Sequence, residues 1–304
     1  MDKIKFYIPD GHLQEKTLGL FKRAGFEVKI SDRGYNPEID DEGIVMKRIR
    51  PQDFPFILAL DKGDLGIAGS DIIEEFSLKY PEMAGKVEKV LKLGFGSTRL
   101  VAAISEEALP GVKSISDFKK YANGKKIVVA TEYPEIAGDY LKKNGITSAI
   151  IRKPAGKTEA WIIPPVPEAD MIIETTETGT TLKENKCLIL GDVMTATSWL
   201  IANKKSLKGA KKKKIDEIVQ LFKGALDAKG KVNVYMDVVD QKNLDKVLKI
   251  IGKYVKKPTI SNLNGGGYDV FIVIDEKELK YALPDLKEAG ASNIAVSDTR
   301  MIIE

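Results

Sequence analysis

Short apolar runs alternate with segments of helical spacing over residues 4–202. The apolar runs are typical of β-strands, and the segments between them place their apolar residues on one side of a helix. Strands are predicted at residues 4–8, 26–30, 44–49, 65–68, 99–105, 127–130, 146–151 and 171–173. This alternation predicts an open, mostly parallel α/β sheet.

Proline and glycine mark the ends of several intervening helices. Pro51 stands in the first-turn position that proline favours, and Gly145 terminates a helix predicted over residues 134–144. Another helix is predicted over residues 13–24, and one more begins at Gly69, Ser70 and Asp71.

A second α/β unit begins near residue 100. The stretch 187–202 is apolar and contains threonine, and we expect it to cross back to the first sheet. The predicted lobes are therefore a discontinuous first one (1–99 plus 186–210) and a second one (100–185). Two lobes joined by crossing strands, as in periplasmic binding proteins, leave a central cleft lined by loops at the strand ends.

The pattern changes after a predicted linker helix over residues 211–230. A strand (232–239) and a helical face (244–251) are followed by a hairpin (259–263 and 268–274), a helix (279–289) and a last strand (292–296). This βαββαβ order predicts a ferredoxin-like domain over residues 231–304. It carries no catalytic constellation, so a regulatory or oligomerising role is expected.

Composition describes an ordinary globular protein of 304 residues, 43% hydrophobic and 30% charged. No apolar run approaches the roughly 20 residues of a membrane span, and the N-terminus does not resemble a signal peptide. The single cysteine, Cys187, fits a reducing compartment, so a cytoplasmic location is expected.

Charge is nearly balanced, with 48 basic and 44 acidic residues and a net charge of +4. The basic cluster at 204–214 lacks interleaved arginine or aromatic residues, which favours a solvated helix start over a nucleic-acid surface.

The segment 169–182 carries the strongest chemical signal. A short apolar strand leads to Glu174 and Glu177, and a threonine–glycine turn precedes a helical pattern that begins at Leu182. Hydroxyls and backbone N–H groups at a helix start can hold a phosphate, and the acids can accept hydrogen bonds from ribose hydroxyls. An ordinary capped helix start is the alternative. The turn consists of Thr178, Gly179, Thr180 and Thr181.

Several further motifs stand in order along the chain. They are Arg-Pro-Gln-Asp at 50–53 with proline at 55, Gly-Asp-Leu-Gly-Ile-Ala-Gly-Ser-Asp at 63–71, Leu-Gly-Phe-Gly at 93–96 with Arg-Leu at 99–100, Ala-Thr-Glu-Tyr-Pro at 130–134, and Gly156 with Glu159. With the turn and the predicted tail domain, nearly the whole chain resembles the ATP phosphoribosyltransferase family, in its long form with a C-terminal regulatory domain.

This resemblance implies a Mg²⁺-dependent enzyme that joins ATP to 5-phosphoribosyl 1-diphosphate in the first step of histidine biosynthesis. Its implied catalytic residues are Glu174, Glu177, Arg50 and Arg99, and the two glutamates would also serve the metal. Its implied substrate-binding residues are Thr178, Gly179, Thr180, Thr181, Thr131, Tyr133, Gly156, Glu159, Asp71, Gly11 and His12. For either arginine, the alternative is a salt bridge to Asp53, Asp64 or Asp71.

The resemblance extends to the tail, where it implies feedback inhibition by free histidine and assembly into dimers or hexamers. No nucleic-acid or membrane partner is expected. The implied effector residues are Asp237, Thr259, Leu263 and Ala291.

Two segments depart from the family pattern. The first loop reads Asp10-Gly11-His12, where the family carries two cations around the glycine, and residues 161–170 lack a glycine that the family keeps before Ala-Asp. The aspartate at position 10 would repel polyphosphate unless a metal or a lysine intervenes. A divergent active enzyme, a phosphoribosyltransferase with another base or nucleotide, and a non-catalytic sensor all remain open. His12 could contact phosphate or have no role.

Overall fold

The computed structural model, which describes residues 2–31 and 34–303, contains two mixed five-stranded β-sheets, a four-stranded antiparallel sheet and a two-stranded antiparallel sheet. The strands are β1 (Ile4–Pro9), β2 (Val28–Lys29), β3 (Glu38–Ile39), β4 (Ile44–Ile49), β5 (Leu65–Gly69), β6 (Val87–Lys92), β7 (Thr98–Ser105), β8 (Ile127–Thr131), β9 (Ala149–Arg152), β10 (Met171–Thr176), β11 (Cys187–Ala196), β12 (Ser198–Asn203), β13 (Lys231–Val238), β14 (Thr259–Asn262), β15 (Tyr268–Asp275) and β16 (Ala291–Asp298).

The α-helices between these strands include several that a proline or a glycine delimits, as predicted. They are α1 (Gln14–Arg23), α2 (Phe54–Ala59), α3 (Ser70–Lys79), α4 (Pro81–Ala84), α5 (Ile115–Ala122), α6 (Pro134–Lys143), α7 (Thr180–Glu184), α8 (Lys212–Asp227), α9 (Gln241–Ile251) and α10 (Leu279–Glu288). Short 3₁₀ turns occur at Pro51–Asp53, Thr158–Ile162, Gly209–Lys211 and Glu276–Glu278.

Two compact units divide the chain. The first runs from the N-terminus to Gly19 and from Glu27 to Asp216, and the second comprises Leu20–Phe26 and the chain from Glu217 onward. The division therefore falls within α8, the expected linker helix. Among the described residues, no helix combines the length and the apolar character needed to cross a membrane.

The first lobe of the first unit is a five-stranded sheet of order β4-β1-β5-β12-β6. β4, β1 and β5 are parallel, whereas β12 is antiparallel to both of its neighbours. All residues of β5 are buried, as expected of a central strand, and α2 and α3 pack on the sheet through Phe54, Leu58 and Ile72. The strand predicted at 26–30 lies outside this sheet, because only β2 forms there and it pairs with β3.

The second lobe is a sheet of order β11-β7-β10-β8-β9. β8 is parallel to β9 and β10, while β7 is antiparallel to β10 and β11. α5 and α6 cover one face, where Phe118 and Ile136 pack against Leu100. α7 and the turn Thr158–Ile162 cover the other face, where Leu182 and Ile162 pack together.

The chain crosses between the lobes twice, first between β6 and β7 and again at Thr197. The two crossings are bonded to each other: the N–H and the hydroxyl of Ser198 both donate to the Phe95 carbonyl oxygen (3.2 and 2.7 Å), and the Leu93 N–H donates to the Ser198 carbonyl oxygen (3.0 Å). The chain returns to the first lobe at Thr197, later than the boundary predicted at residue 186. The reason is that β11 forms the edge of the second sheet before the chain crosses back. The first sheet therefore resumes at β12.

The second unit contains the predicted βαββαβ module. Its sheet has the order β14-β15-β13-β16, all antiparallel, and α9 and α10 contribute to its core. The buried residues of β13 and β15 alternate, as a sheet with one covered face requires. A two-lobed α/β part with a ferredoxin-like tail is the predicted fold class, which is confirmed.

A buried carboxylate in the first unit ties the start of β5 to the segment before α8. Asp64 is 4% exposed and accepts hydrogen bonds from the Lys5 N–H (2.8 Å), the Ser206 hydroxyl (2.5 Å) and Lys211 Nζ (2.8 and 2.9 Å). Burial alone would raise the pKa of this carboxyl. The three donors outweigh burial and hold the pKa below its ordinary value.

We predict that Asp64→Asn lowers the free energy of unfolding by about 3 kcal/mol at pH 7, because it breaks a buried ion pair. Since the folded-state pKa of Asp64 is depressed, its stabilisation is complete above about pH 4, the unfolded value. It is lost as the pH falls through the lower folded-state pKa. Urea denaturation at several pH values measures this. The control Asp227→Asn alters an exposed acid and should be neutral; an equal loss in both variants would contradict the prediction.

Candidate active site

A turn of threonine and glycine follows the carboxyl end of β10. Gly179 has a φ of +81°, a left-handed conformation that glycine adopts without strain. Its N–H donates to Thr176 Oγ1 (2.8 Å), and Thr178 Oγ1 lies 2.8 Å from Thr180 Oγ1. α7 begins at Thr180, two residues before the expected Leu182. The turn is thus shaped by its own hydroxyls.

The same turn presents its donors to solvent. Thr178, Thr180 and Thr181 are exposed, whereas Leu182 is buried and packs with Ile162. The buried leucine anchors α7 from behind. The Thr181 hydroxyl has no partner among the described residues, and the exposed hydroxyls of Thr178 and Thr180 bond each other. The first N–H groups of α7 lack partners within the helix backbone. Such a group of donors can hold a phosphate.

Two acids flank this turn and differ in their freedom. Glu174 is half-buried, and its Oε1 accepts hydrogen bonds from the N–H (2.8 Å) and the hydroxyl (3.0 Å) of Thr175. Glu177 is exposed and makes no hydrogen bond or ion pair with any described residue. Glu177 is therefore the freer acceptor for a ribose hydroxyl.

Tyr133 reaches from the second lobe to the first. Its hydroxyl donates to Asp71 Oδ2 (2.6 Å), and the buried Thr131 accepts the Tyr133 N–H through its hydroxyl (3.0 Å). Burial raises the pKa of Tyr133 far above its ordinary value, and the charges of Asp71, Glu132 and Glu174 raise it further. The structure thereby brings together four expected site residues, Asp71 from the first lobe and Thr131, Tyr133 and Glu174 from the second.

The first-lobe loop contains one of the two departures from the family pattern. Gly11 has a φ of +91°, which favours glycine, and its N–H donates to Asp10 Oδ1 (3.1 Å). Asp10 therefore helps to close its own turn. His12 is exposed beside it.

The two candidate arginines have different surroundings. Arg50 is exposed and makes no side-chain hydrogen bond or ion pair with any residue of the described ranges. Arg99, whose backbone lies opposite Thr176 in the sheet, donates through Nε and Nη2 to Asp192 Oδ1 (2.9 and 2.5 Å). The sequence offered a salt bridge as the alternative role for Arg99, and the structure shows one, but with Asp192 rather than with an acid named from the sequence. None of the three acids named from the sequence, all within the described ranges, pairs with either arginine: Asp53, Asp64 and Asp71.

The glycine–glutamate pair lies in the segment after β9. Gly156 is exposed, and Glu159 is half-buried in the turn Thr158–Ile162. Burial raises the pKa of the Cys187 thiol, and the charge of Glu159 raises it further. Ile162, from the same turn as Glu159, belongs to one buried cluster with Cys187, so this turn lies near the start of β11, a neighbourhood that the sequence did not indicate.

The candidate effector residues belong to the sheet of the second unit. Asp237 lies opposite Asp269 on one side and Ser292 on the other, and its Oδ2 accepts a hydrogen bond from Asn293 Nδ2 (2.7 Å). Two neighbouring carboxylates repel each other unless a cation or a donor intervenes. The other candidates are Thr259 on β14, Leu263 in the turn after β14, and Ala291 at the start of β16.

The residues present fit a metal that arrives with a substrate. The described residues contain no group of three or more acids, histidines or cysteines that could hold a metal ion by themselves. Mg²⁺ commonly binds through one or two carboxylates together with substrate phosphates. Glu177, exposed beside the turn, can supply such a carboxylate.

Glu75 is a residue that the motifs did not indicate. Its carboxylate, on α3, accepts hydrogen bonds from the N–H groups of Glu135 and Ile136, on α6. Burial raises its pKa, although the two N–H groups act in the opposite direction. The available signal was its spacing, since Asp71 and Glu75 share one helix face. Glu75 also lines a cavity of about 330 Å³ that extends to Phe56, Phe76, Tyr80 and Lys153.

Two α/β lobes with an exposed threonine–glycine turn after β10, joined to a ferredoxin-like module, match a class: two-lobed phosphoribosyltransferases with a tail domain. The family model described as ATP phosphoribosyltransferase matches residues 50–224, and that described as HisG, C-terminal domain, matches residues 228–300. The chain belongs to the ATP phosphoribosyltransferase family, which confirms the resemblance seen in the sequence.

Relatives cover nearly the whole chain. The ATP phosphoribosyltransferase of Archaeoglobus fulgidus is 41% identical over 251 residues, 82% of this chain and 88% of the relative. That of Thermodesulfovibrio yellowstonii is 38% identical over 294 residues, 96% and 95%. The ATP phosphoribosyl transferase (HisG:HisZ) complex from Thermotoga maritima has a TM-score of 0.58 at 23% identity, over 72% of this chain and 98% of that chain, and shares the fold.

We predict that Gly179→Ala destabilises the first unit by about 1–2 kcal/mol, the cost of a left-handed conformation for alanine. The added Cβ meets only Ile189, at an ordinary distance of 3.6 Å, so conformational strain is the main effect. Urea denaturation measures the change. Gly85→Ala is the matched control, because Gly85 has a φ of −67° and open space around its Cβ position. Equal stability of the two variants would show that the turn is not held in this conformation.

Proposed function

We propose that this chain joins ATP to 5-phosphoribosyl 1-diphosphate, forming phosphoribosyl-ATP and diphosphate in the first step of histidine biosynthesis. The observation that carries the proposal is the exposed threonine turn after β10, in a unit whose two lobes are joined by a contact between Tyr133 and Asp71. Family membership supports the same reaction.

The turn would bind the 5-phosphate of the ribose. Thr178, Thr180 and Thr181 offer hydroxyl donors, and the glycine between them lets the backbone approach the anion closely. Glu177 would accept hydrogen bonds from ribose hydroxyls. Glu174 would support it from within the lobe, because one of its oxygens is occupied by Thr175.

The reaction requires little covalent participation by the protein. A ring nitrogen of adenine attacks the anomeric carbon, while the bond from that carbon to the diphosphate oxygen breaks. Holding the two substrates in line and stabilising charge on the leaving diphosphate supply most of the acceleration. Arg50 is well suited to the second task, since its guanidinium is exposed and uncommitted among the described residues. Arg99 would contribute only by exchanging Asp192 for a phosphate.

Mg²⁺ would be held between the diphosphate and a carboxylate, with Glu177 as the exposed candidate. When bound, the metal neutralises charge on the departing diphosphate. The protein contributes an exposed Glu177 carboxylate that no described residue already binds.

The second candidate function, an altered-substrate or non-catalytic binding protein, rests on the first loop. Asp10 places a carboxylate where the family has a cation, and His12 is exposed beside it. Family membership favours catalysis over this alternative, and the Gly11 N–H orients the Asp10 carboxylate within its own turn.

Feedback inhibition by histidine belongs to the same proposal. Asp237 and Asp269 together form an acidic site on the second unit's sheet that could receive the ammonium group of a free amino acid. The uncovered face of this sheet also carries the stacked rings of Tyr235 and Phe271, 4.7 Å apart, and Tyr235 is 42% exposed. We therefore propose homo-oligomers, dimers or hexamers, assembled partly through this unit.

We expect the purified protein to release diphosphate from ATP, 5-phosphoribosyl 1-diphosphate and Mg²⁺, and free histidine to suppress that release. In Asp237→Asn the suppression should be lost, because the site loses a full negative charge. Asp275→Asn is the control, since this exposed acid lies at the far end of β15. Binding of both substrates without diphosphate release would favour the sensor. Release with another base in place of ATP would favour an altered substrate.

We expect the double variant Thr180→Val/Thr181→Val to lose affinity for 5-phosphoribosyl 1-diphosphate by about a hundredfold or more. Each hydroxyl bond to a charged group contributes roughly 1.5–3 kcal/mol. Calorimetry measures the affinity, and circular dichroism checks the fold. Thr147→Val, at another exposed threonine, is the control. Unchanged affinity in the double variant would remove the phosphate assignment.

A further inference from the structure

One carboxylate of the first lobe caps a helix of the second. Glu75 Oε1 accepts the N–H of Glu135, and Oε2 accepts the N–H of Ile136, both at 3.0 Å. Glu75 lies on α3, and its two partners lie in the first turn of α6. Both oxygens of the carboxylate are therefore committed across the gap between the lobes.

α6 lacks a cap of its own. The residue before it is Tyr133, whose side chain makes no capping hydrogen bond, and Pro134 at the first helical position has no N–H. The next two N–H groups would have no partner within the helix. Glu75 satisfies both, and its negative charge faces the positive end of the helix dipole.

A second contact from α3 reaches the same segment. Asp71, one turn before Glu75, accepts the hydroxyl hydrogen of Tyr133 at 2.6 Å. Positions four apart share one helix face, so a single face of α3 holds both Tyr133 and the start of α6. Between them these two acids fix the segment that joins β8 to α6.

That segment carries candidate substrate residues. Thr131 ends β8, and Tyr133 follows it at the cleft, where the charge of Glu174 also acts on Tyr133. No substrate is needed to make the contacts to α3. The second-lobe side of the cleft is thus positioned before a ligand binds, which lowers the cost of ordering it on binding.

We infer that Glu75 is a positioning residue: by capping α6 from the opposite lobe, it holds the two lobes in the arrangement that binds substrate. It acts through α6 and Tyr133 and touches no reacting atom. Its effect on turnover rests on the proposed function, whereas its effect on α6 does not.

Glu75→Gln tests the inference, with Glu74→Gln as the matched control. Glutamine keeps the length of the side chain, but its amide group offers one acceptor and turns N–H donors toward a helix N–H. Glu74 precedes Glu75 on α3, is exposed and makes no hydrogen bond with any described residue, and its charge acts on Lys143 at the opposite end of α6 from Glu135 and Ile136. Amide hydrogen exchange at Glu135 and Ile136 is the first readout.

In Glu75→Gln, exchange at these two amides should accelerate about tenfold or more, the equivalent of one charge-assisted hydrogen bond. The KM for 5-phosphoribosyl 1-diphosphate should rise by a similar factor, with kcat retained, because saturating substrate restores the arrangement of the lobes that binds it. Glu74→Gln should match the wild type in both. Tyr133→Phe, which removes only the Asp71 contact, should also accelerate exchange at the start of α6.

Unchanged exchange in Glu75→Gln would overturn the cap. Faster exchange with an unchanged KM would overturn the positioning role and leave a purely structural cap. A fall in kcat with KM unchanged would also count against positioning. If the wild type shows no turnover, the proposed function fails, and calorimetric affinity for the phosphoribosyl compound replaces KM as the second readout.

Discussion

The double crossing between the two lobes is the constraint on which the first unit depends. One crossing precedes β7 and the other precedes β12, and they are bonded to each other through Ser198, Phe95 and Leu93. Ser70 joins this arrangement, since its hydroxyl accepts the Thr197 N–H (3.1 Å) and its N–H donates to the Thr197 carbonyl oxygen (2.9 Å). α3 therefore begins at the crossing itself. Any change in the angle between the lobes must act on the residues that follow Ser70.

This position explains why α3 carries the contacts between the lobes. Asp71 and Glu75 lie in the first two turns of α3, which begins at the crossing. A carboxylate there can meet a partner from the other lobe with little loss of side-chain freedom, because both ends of the contact are already constrained.

Local patterns allowed much of this fold and part of its site to be predicted. The turn at Thr178–Thr181 could be anticipated because glycine and threonine act within a few residues of each other. The ferredoxin-like order and the two lobes followed from periodicity alone. The position of the return could not be anticipated, because β11 and β12 follow each other with only Thr197 between them and neither glycine nor proline marks the boundary. Only sheet pairing separates them at Thr197.

Contacts between distant segments account for the rest. Arg99 and Asp192 are 93 residues apart, and Glu75 and Ile136 are 61 apart, so no motif links them. A charged residue in a sequence has many possible partners, and three acids closer to the family motifs were plausible for Arg99. Pairing depends on which strands become neighbours, which is a property of the assembled sheet.

The motif at residues 63–71 shows why a family signature need not mark substrate contacts throughout. Asp64, near its start, is buried with Lys211 and Ser206, and holds the end of the first lobe to the beginning of α8. Asp71, at its end, faces Tyr133 across the cleft. β5 joins the two acids. Its five residues are all buried, and it is the central strand of its sheet, so the spacing between the acids is fixed. The motif therefore fixes the distance between a structural anchor and the cleft, and a substitution at Asp64 would reach the site through β5 rather than through the substrate.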